Sequence, residues 1–170
     1  MQLQAFNGLP RDEARAAIDP CLGVARWVEE VVDGRPYDDV AALRAQAATS
    51  GQHLTGEELA SALSRHPRIG EPPPSVADHS DVSESAFSRR EQAGVDAADV
   101  DTAERLRQAN KEYEARFGRV FLIRAVGRSS EEILSELHRR LRNDDDAEHR
   151  EVVRQLREIA LLRLDQVVTQ

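Results

Sequence analysis

A chain of 170 residues, 40% hydrophobic and 32% charged, has the balance of one globular domain spanning residues 1–170. That length is enough to bury roughly 70% of the surface exposed by the unfolded chain. The net charge of -8, with no block of basic residues and Lys111 the only lysine, argues against a nucleic-acid partner. Cys21 is the only cysteine, which excludes an internal disulfide. No apolar run approaches the ~18 residues of a membrane span, and the opening MQLQAFNGLP lacks the marks of a signal peptide, so a cytoplasmic protein is expected.

Aromatic residues are scarce at 4%, leaving Leu, Val, Ile and Ala to build the core, and the expected fold is all-α. Asp19-Pro20 reads as an N-cap and first-turn proline opening a helix to about Asp33, with Val24, Trp27, Val28 and Val31 as its inward stripe. Gly34 and Pro36 end it. Asp38 and Asp39 start an Ala-rich helix that stops near Gly51. Thr55 and Glu58 form a capping box for the next, which carries Leu59, Ala62, Leu63 and His66 on one face before Pro67 forbids continuation. The stretch from Arg68 to Ser83, with three consecutive prolines, reads as an ordered loop or lid.

A short helix from Ser83 to Gly94 follows, then one from about Asp101 to Arg116 with the stripe Leu106, Asn110, Tyr113 and Phe117. The apolar run Val120 to Val126, between Gly118 and Gly127, is either buried helix or an extended segment, since a lone strand has no partner here. Ser129 with Glu132 is a second capping box, opening a helix to about Leu141. Asn143 to Asp146 caps a final helix to roughly Val167.

Three sets of polar residues stand out. His66 closes an apolar stripe beside a proline; it is either a structural histidine at a helix end or a proton-transfer group. Ser88, Glu91 and Gln92 share one helical face, an arrangement that ordinarily belongs to a solvated surface. Arg163 falls on the stripe of Val152, Leu156, Ile159, Ala160 and Val167, where a guanidinium needs a carboxylate partner, either Glu91 or that of a ligand. The five histidines have no metal-ligand spacing, and no dinucleotide, phosphate-loop or serine-hydrolase signature occurs, so neither metal nor cofactor is expected.

The segments Leu63-Ser-Arg-His66-Pro67-Arg68-Ile69-Gly70-Glu71 and Ser88-Arg-Arg-Glu91-Gln92-Ala-Gly94 closely resemble the 2-oxo-4-hydroxy-4-carboxy-5-ureidoimidazoline (OHCU) decarboxylases. So do Asn110-Lys-Glu-Tyr113-Glu-Ala-Arg-Phe117-Gly118 with the following Val-Phe121-Leu-Ile-Arg-Ala, Leu162-Arg163-Leu164, and the opening Phe6-Asn7-Gly8-Leu9-Pro10 with Cys21 and Trp27. The resemblance runs in order along almost the whole chain. It implies a compact all-α domain, a homodimer, and the last step from urate to (S)-allantoin, without a cofactor and downstream of urate oxidase and hydroxyisourate hydrolase.

By the same resemblance His66 is the catalytic residue and Glu91 its acidic companion. Substrate is held by Pro67, Ser88 and Gln92, by backbone of Phe121, Leu122, Ile123, Arg124 and Ala125, and by Arg163 near its carboxylate or near Glu91. The sequence departs from the commoner family residues at Arg119-Val120 and at Arg124. Two rival readings are a related small-molecule lyase on the same scaffold and a helical interaction module without catalysis.

Overall fold

The computed structural model describes residues 1–70, 86–87, 91 and 100–170. Among these are eight named helices and no strand, so the all-α expectation holds; the one β-type pairing there is a parallel bridge between Gln2 and Thr169. The proline-rich stretch 72–81 and most of the expected Ser83–Gly94 helix lie outside the described residues.

Two helices precede the first one expected. α1 spans Leu3–Gly8 and α2 spans Arg11–Leu22. Pro10 occupies the N-cap position of α2, and Asp12 and Glu13 sit in its first turn, where negative charge meets the positive end of the helix dipole. The expected single helix from Asp19 to Asp33 is therefore corrected to the end of α2 and a separate α3, Ala25–Asp33. Pro20 lies inside the last turn of α2, where its missing N–H removes a single intrahelical bond and leaves the preceding turns intact. Gly23 closes the helix by donating to the Asp19 carbonyl at 2.8 Å.

The remaining elements follow the sequence closely. α4 (Val40–Ser50) is capped by Asp39, which accepts from the Ala42 N–H at 2.7 Å. α5 (Gly56–Ser64) begins with the Thr55–Glu58 box, its two bonds at 2.9 and 3.2 Å. α6 is Val100–Phe117, α7 Ser130–Arg140 with the complete Ser129–Glu132 box, and α8 Asp145–Val167 with Asp144 accepting from the Ala147 N–H at 2.7 Å.

The chain divides into two compact units. The first, Met1–Ala62 with Leu156–Gln170, packs α2 on α3 and α3 on α4. Its buried side chains are chiefly apolar, among them Phe6, Ile18, Val31, Leu43 and Leu164, and Trp27 donates from its indole to the Ala47 carbonyl at 2.9 Å. Each such aliphatic or aromatic burial contributes on the order of 1.5–3 kcal/mol. Ion pairs of this unit, Arg26–Glu58 and Arg44–Asp165, lie toward its surface. The second unit, Leu63–Gln155, packs α6 on α7 around a cluster of Leu106, Tyr113, Phe117, Phe121, Ile133 and Leu137.

Candidate active site

His66 stands in the turn that follows α5, its N–H on the Leu63 carbonyl at 3.0 Å, and Pro67 ends the helical path. The side chain is 9% exposed and its Nε2 is shielded from solvent. Such burial suits an imidazole that must exchange a proton with a ligand and not with bulk water.

The residues after His66 are fixed onto α6. Ile69 joins the apolar cluster of the second unit, and its carbonyl accepts from Asn110 Nδ2 at 3.1 Å. Arg68 forks onto both Glu114 oxygens at 2.5 and 2.9 Å, which holds that carboxyl below the usual glutamate range. The histidine's own loop is thus anchored two and three residues downstream of the imidazole.

The apolar run between Gly118 and Gly127 is not helical, which removes the buried-helix alternative left open by its sequence. Both glycines have left-handed φ, 65° and 79°. A Cβ at either would meet nothing within 4 Å, so the requirement there is conformational and not steric. Gly118 terminates α6 on the Glu114 carbonyl at 2.8 Å. Phe121, Ile123 and Ala125 enter the apolar cluster, Leu122 is buried as well, and Val126 beyond them is 42% exposed. Ile69 of the HPRIG motif and this segment therefore share one core.

A buried charged group that the sequence reading did not single out supports the segment. Arg140 and Glu148 are both fully buried and form an ion pair. Arg140 Nη1 donates to the Leu122 carbonyl at 2.7 Å, and its guanidinium lies over the Phe121 ring, 4.7 Å from the centroid. Glu148 also accepts from the Tyr113 hydroxyl and, at 2.8 Å, from Asn143 Nδ2. Burial pushes the Tyr113 hydroxyl well above the ordinary tyrosine value, so it remains a donor across the physiological range. Two residues further along the segment, the Arg124 N–H donates to Gln155 Oε1 at 2.7 Å. A signal for this group existed. Arg140 falls seven residues after Ile133 and Glu148 four before Val152, each on an apolar stripe, as Arg163 does.

The other expected site residues are placed as follows. Pro67 and Arg124 are half-buried, Leu122 is buried, and Glu91 is a half-buried helical residue. Ser88 and Gln92 lie outside the described residues. Arg163, in the first unit, is 3% exposed and donates from Nη1 to the Pro20 carbonyl at 3.3 Å. Among the described residues no three His, Cys, Asp or Glu side chains gather as metal ligands, and no helix is long and apolar enough to cross a membrane.

The chain belongs to the OHCU decarboxylase family, whose pattern it matches over residues 7–165. It is 24% identical over 170 residues to a uric acid degradation bifunctional protein of Bacillus sp. (strain TB-90), covering 98% of this chain but 32% of that protein. It is 26% identical to a 2-oxo-4-hydroxy-4-carboxy-5-ureidoimidazoline decarboxylase of Haloferax volcanii, covering 96% of this chain and 94% of that one. Of the solved structures, an OHCU decarboxylase crystallised in the presence of (S)-allantoin superposes with a TM-score of 0.71 at 20% identity, covering 89% and 96% of the two chains. An (S)-allantoin synthase superposes at 0.72 and 14% identity, covering 99% of this chain and 54% of that one. At such identities the two structures speak for the fold alone.

Proposed function

We propose that this chain, as a single OHCU decarboxylase domain, converts OHCU to (S)-allantoin. The observation that carries the reading is the family match across residues 7–165, which takes in His66, Glu91, the Phe121–Ala125 segment and Arg163. The shielded imidazole at the end of α5 and the non-helical backbone after α6 suit it chemically.

In the proposed reaction the bond between C4 and the carboxylate breaks and CO2 departs. The electron pair left behind passes into the neighbouring ring C=N, which takes up a proton and leaves an enol at C4. His66 removes the hydroxyl proton, and protonation of the adjacent ring carbon from one face gives a single enantiomer. Glu91 orients the imidazole and selects its tautomer. Pro67, Ser88, Gln92 and the segment's backbone hold the ring and ureido groups, and Arg163 meets the carboxylate before it leaves. A well-placed acid–base group contributes about 10²–10⁴-fold to the rate.

The same reading makes the protein a cytoplasmic homodimer that works downstream of urate oxidase and hydroxyisourate hydrolase. The test is to mix the purified protein with urate and those two enzymes and follow circular dichroism. Optically active allantoin is expected from the wild type, with stereospecific formation abolished in His66→Ala and impaired in Glu91→Ala. Wild-type rates in His66→Ala would end the proposal.

A further inference from the structure

In a trans peptide the C=O and the N–H of the following residue point in opposite directions. Arg140 takes the Leu122 carbonyl and Gln155 takes the Arg124 N–H, each at 2.7 Å, so the two peptides flanking Ile123 are each held from one side. Ile123 N–H therefore points away from Arg140, and the Ile123 carbonyl away from Gln155. The anchors are themselves immobilised. Arg140 is tied to Glu148 and stacked on Phe121, Glu148 is held by Tyr113 and Asn143, and Gln155 is 5% exposed.

We propose that Arg140 and Gln155 are positioning residues for substrate, acting through the backbone of Phe121–Ala125 and aiming the Ile123 peptide groups at the ligand's amide-like edges. This rests on the OHCU reading above and deepens it. Burying a charged pair is costly, and a hydrophobic pair of similar volume often serves stability as well or better. What apolar residues cannot do is hold a carbonyl in a fixed direction. The guanidinium fork does so because one arm bonds Glu148 while another reaches the Leu122 oxygen.

The test uses two independent variants and one rescue. Arg140→Lys keeps the charge opposite Glu148, but a compact ammonium cannot span both partners. Gln155→Leu removes the acceptor at Arg124, and Gln155→Glu retains it. KM and kcat are measured on freshly generated OHCU, with amide hydrogen exchange over residues 121–125 read in parallel. In Arg140→Lys and Gln155→Leu, KM is expected to rise about tenfold, the effect of one misaligned hydrogen bond. Exchange in the segment is expected to quicken, and Gln155→Glu to return KM to near the wild-type value.

A merely structural role would reduce the amount of active enzyme, lowering apparent kcat with KM unchanged; that result overturns the proposal. Should Arg140→Lys fail to fold, Gln155→Leu decides alone. If the wild type itself makes no optically active allantoin, the OHCU reading fails, while exchange still tests the anchors: unchanged exchange in Gln155→Leu overturns them, and faster exchange supports them.

Discussion

The two units solve the problem of an interior in different ways. In the first, helices follow one another with short connections, and the helical hydrogen bonds satisfy most of the backbone internally; the core is then free to be apolar. In the second, the chain from Gly118 to Ser129 is not helical, and its peptide groups need partners from elsewhere. Side chains supply them. Of the nine buried polar or charged side chains among the described residues, seven fall between residues 63 and 155. Arg140, Gln155 and Asn110 each bond a main-chain group of the HPRIG loop or the Phe121–Ala125 segment. Part of the second unit's buried polarity thus serves irregular backbone, at the HPRIG loop and at Phe121–Ala125.

The contrast can be broken most directly at the ion pairs. Glu148→Ala leaves the Arg140 guanidinium buried without its carboxylate and should cost about 3–5 kcal/mol in urea unfolding. Asp165→Ala removes the partner of the exposed Arg44 and should cost less than about 1 kcal/mol. Equal costs would show that the second unit's polar interior is no different in kind. The capping boxes sharpen the comparison, because a cap acts locally whatever its surroundings. Thr55→Ala and Ser129→Ala should each cost about 1 kcal/mol by thermal denaturation, one box in each unit.

The smallest effect concerns Arg68→Met. Since Arg68 is half exposed, losing its bond to Glu114 should cost about 0.5 kcal/mol or less at neutral pH. Glu114 titrates below its ordinary value of 4.5 when folded, so its contribution is complete above that pH and disappears as the pH falls through the folded value. The gap between variant and wild type should close in acid. A gap that persists there would mean Arg68 acts through packing of its stem.

Much of this was legible from periodicity. Val24, Trp27, Val28 and Val31 are buried as their spacing demands, and so are Leu59, Ala62, Leu63 and His66. Both capping boxes form, because a hydroxyl and a carboxylate three residues apart need only local geometry. The misreading at Asp19-Pro20 came from a dipeptide with two local meanings. It opens a helix when the chain before it is irregular, yet is tolerated in the last turn of one already formed. Pro10 with Asp12 and Glu13 carried the opposite signal, the start of α2. The non-helical form of the run after Gly118 was undecidable from pattern, since its partners, Arg140 and Gln155, are distant in sequence. Among the site residues, His66 was betrayed by its stripe and its proline, whereas Glu91 carried little weight without the family resemblance.

Trp27, the sole tryptophan, is buried against the Ala47 carbonyl within the first unit. Indole emission consequently reports on that unit alone, and backbone ellipticity reports on every helix. Following both signals through one denaturant titration would reveal whether the chain melts as a single cooperative body or in stages, with no label introduced.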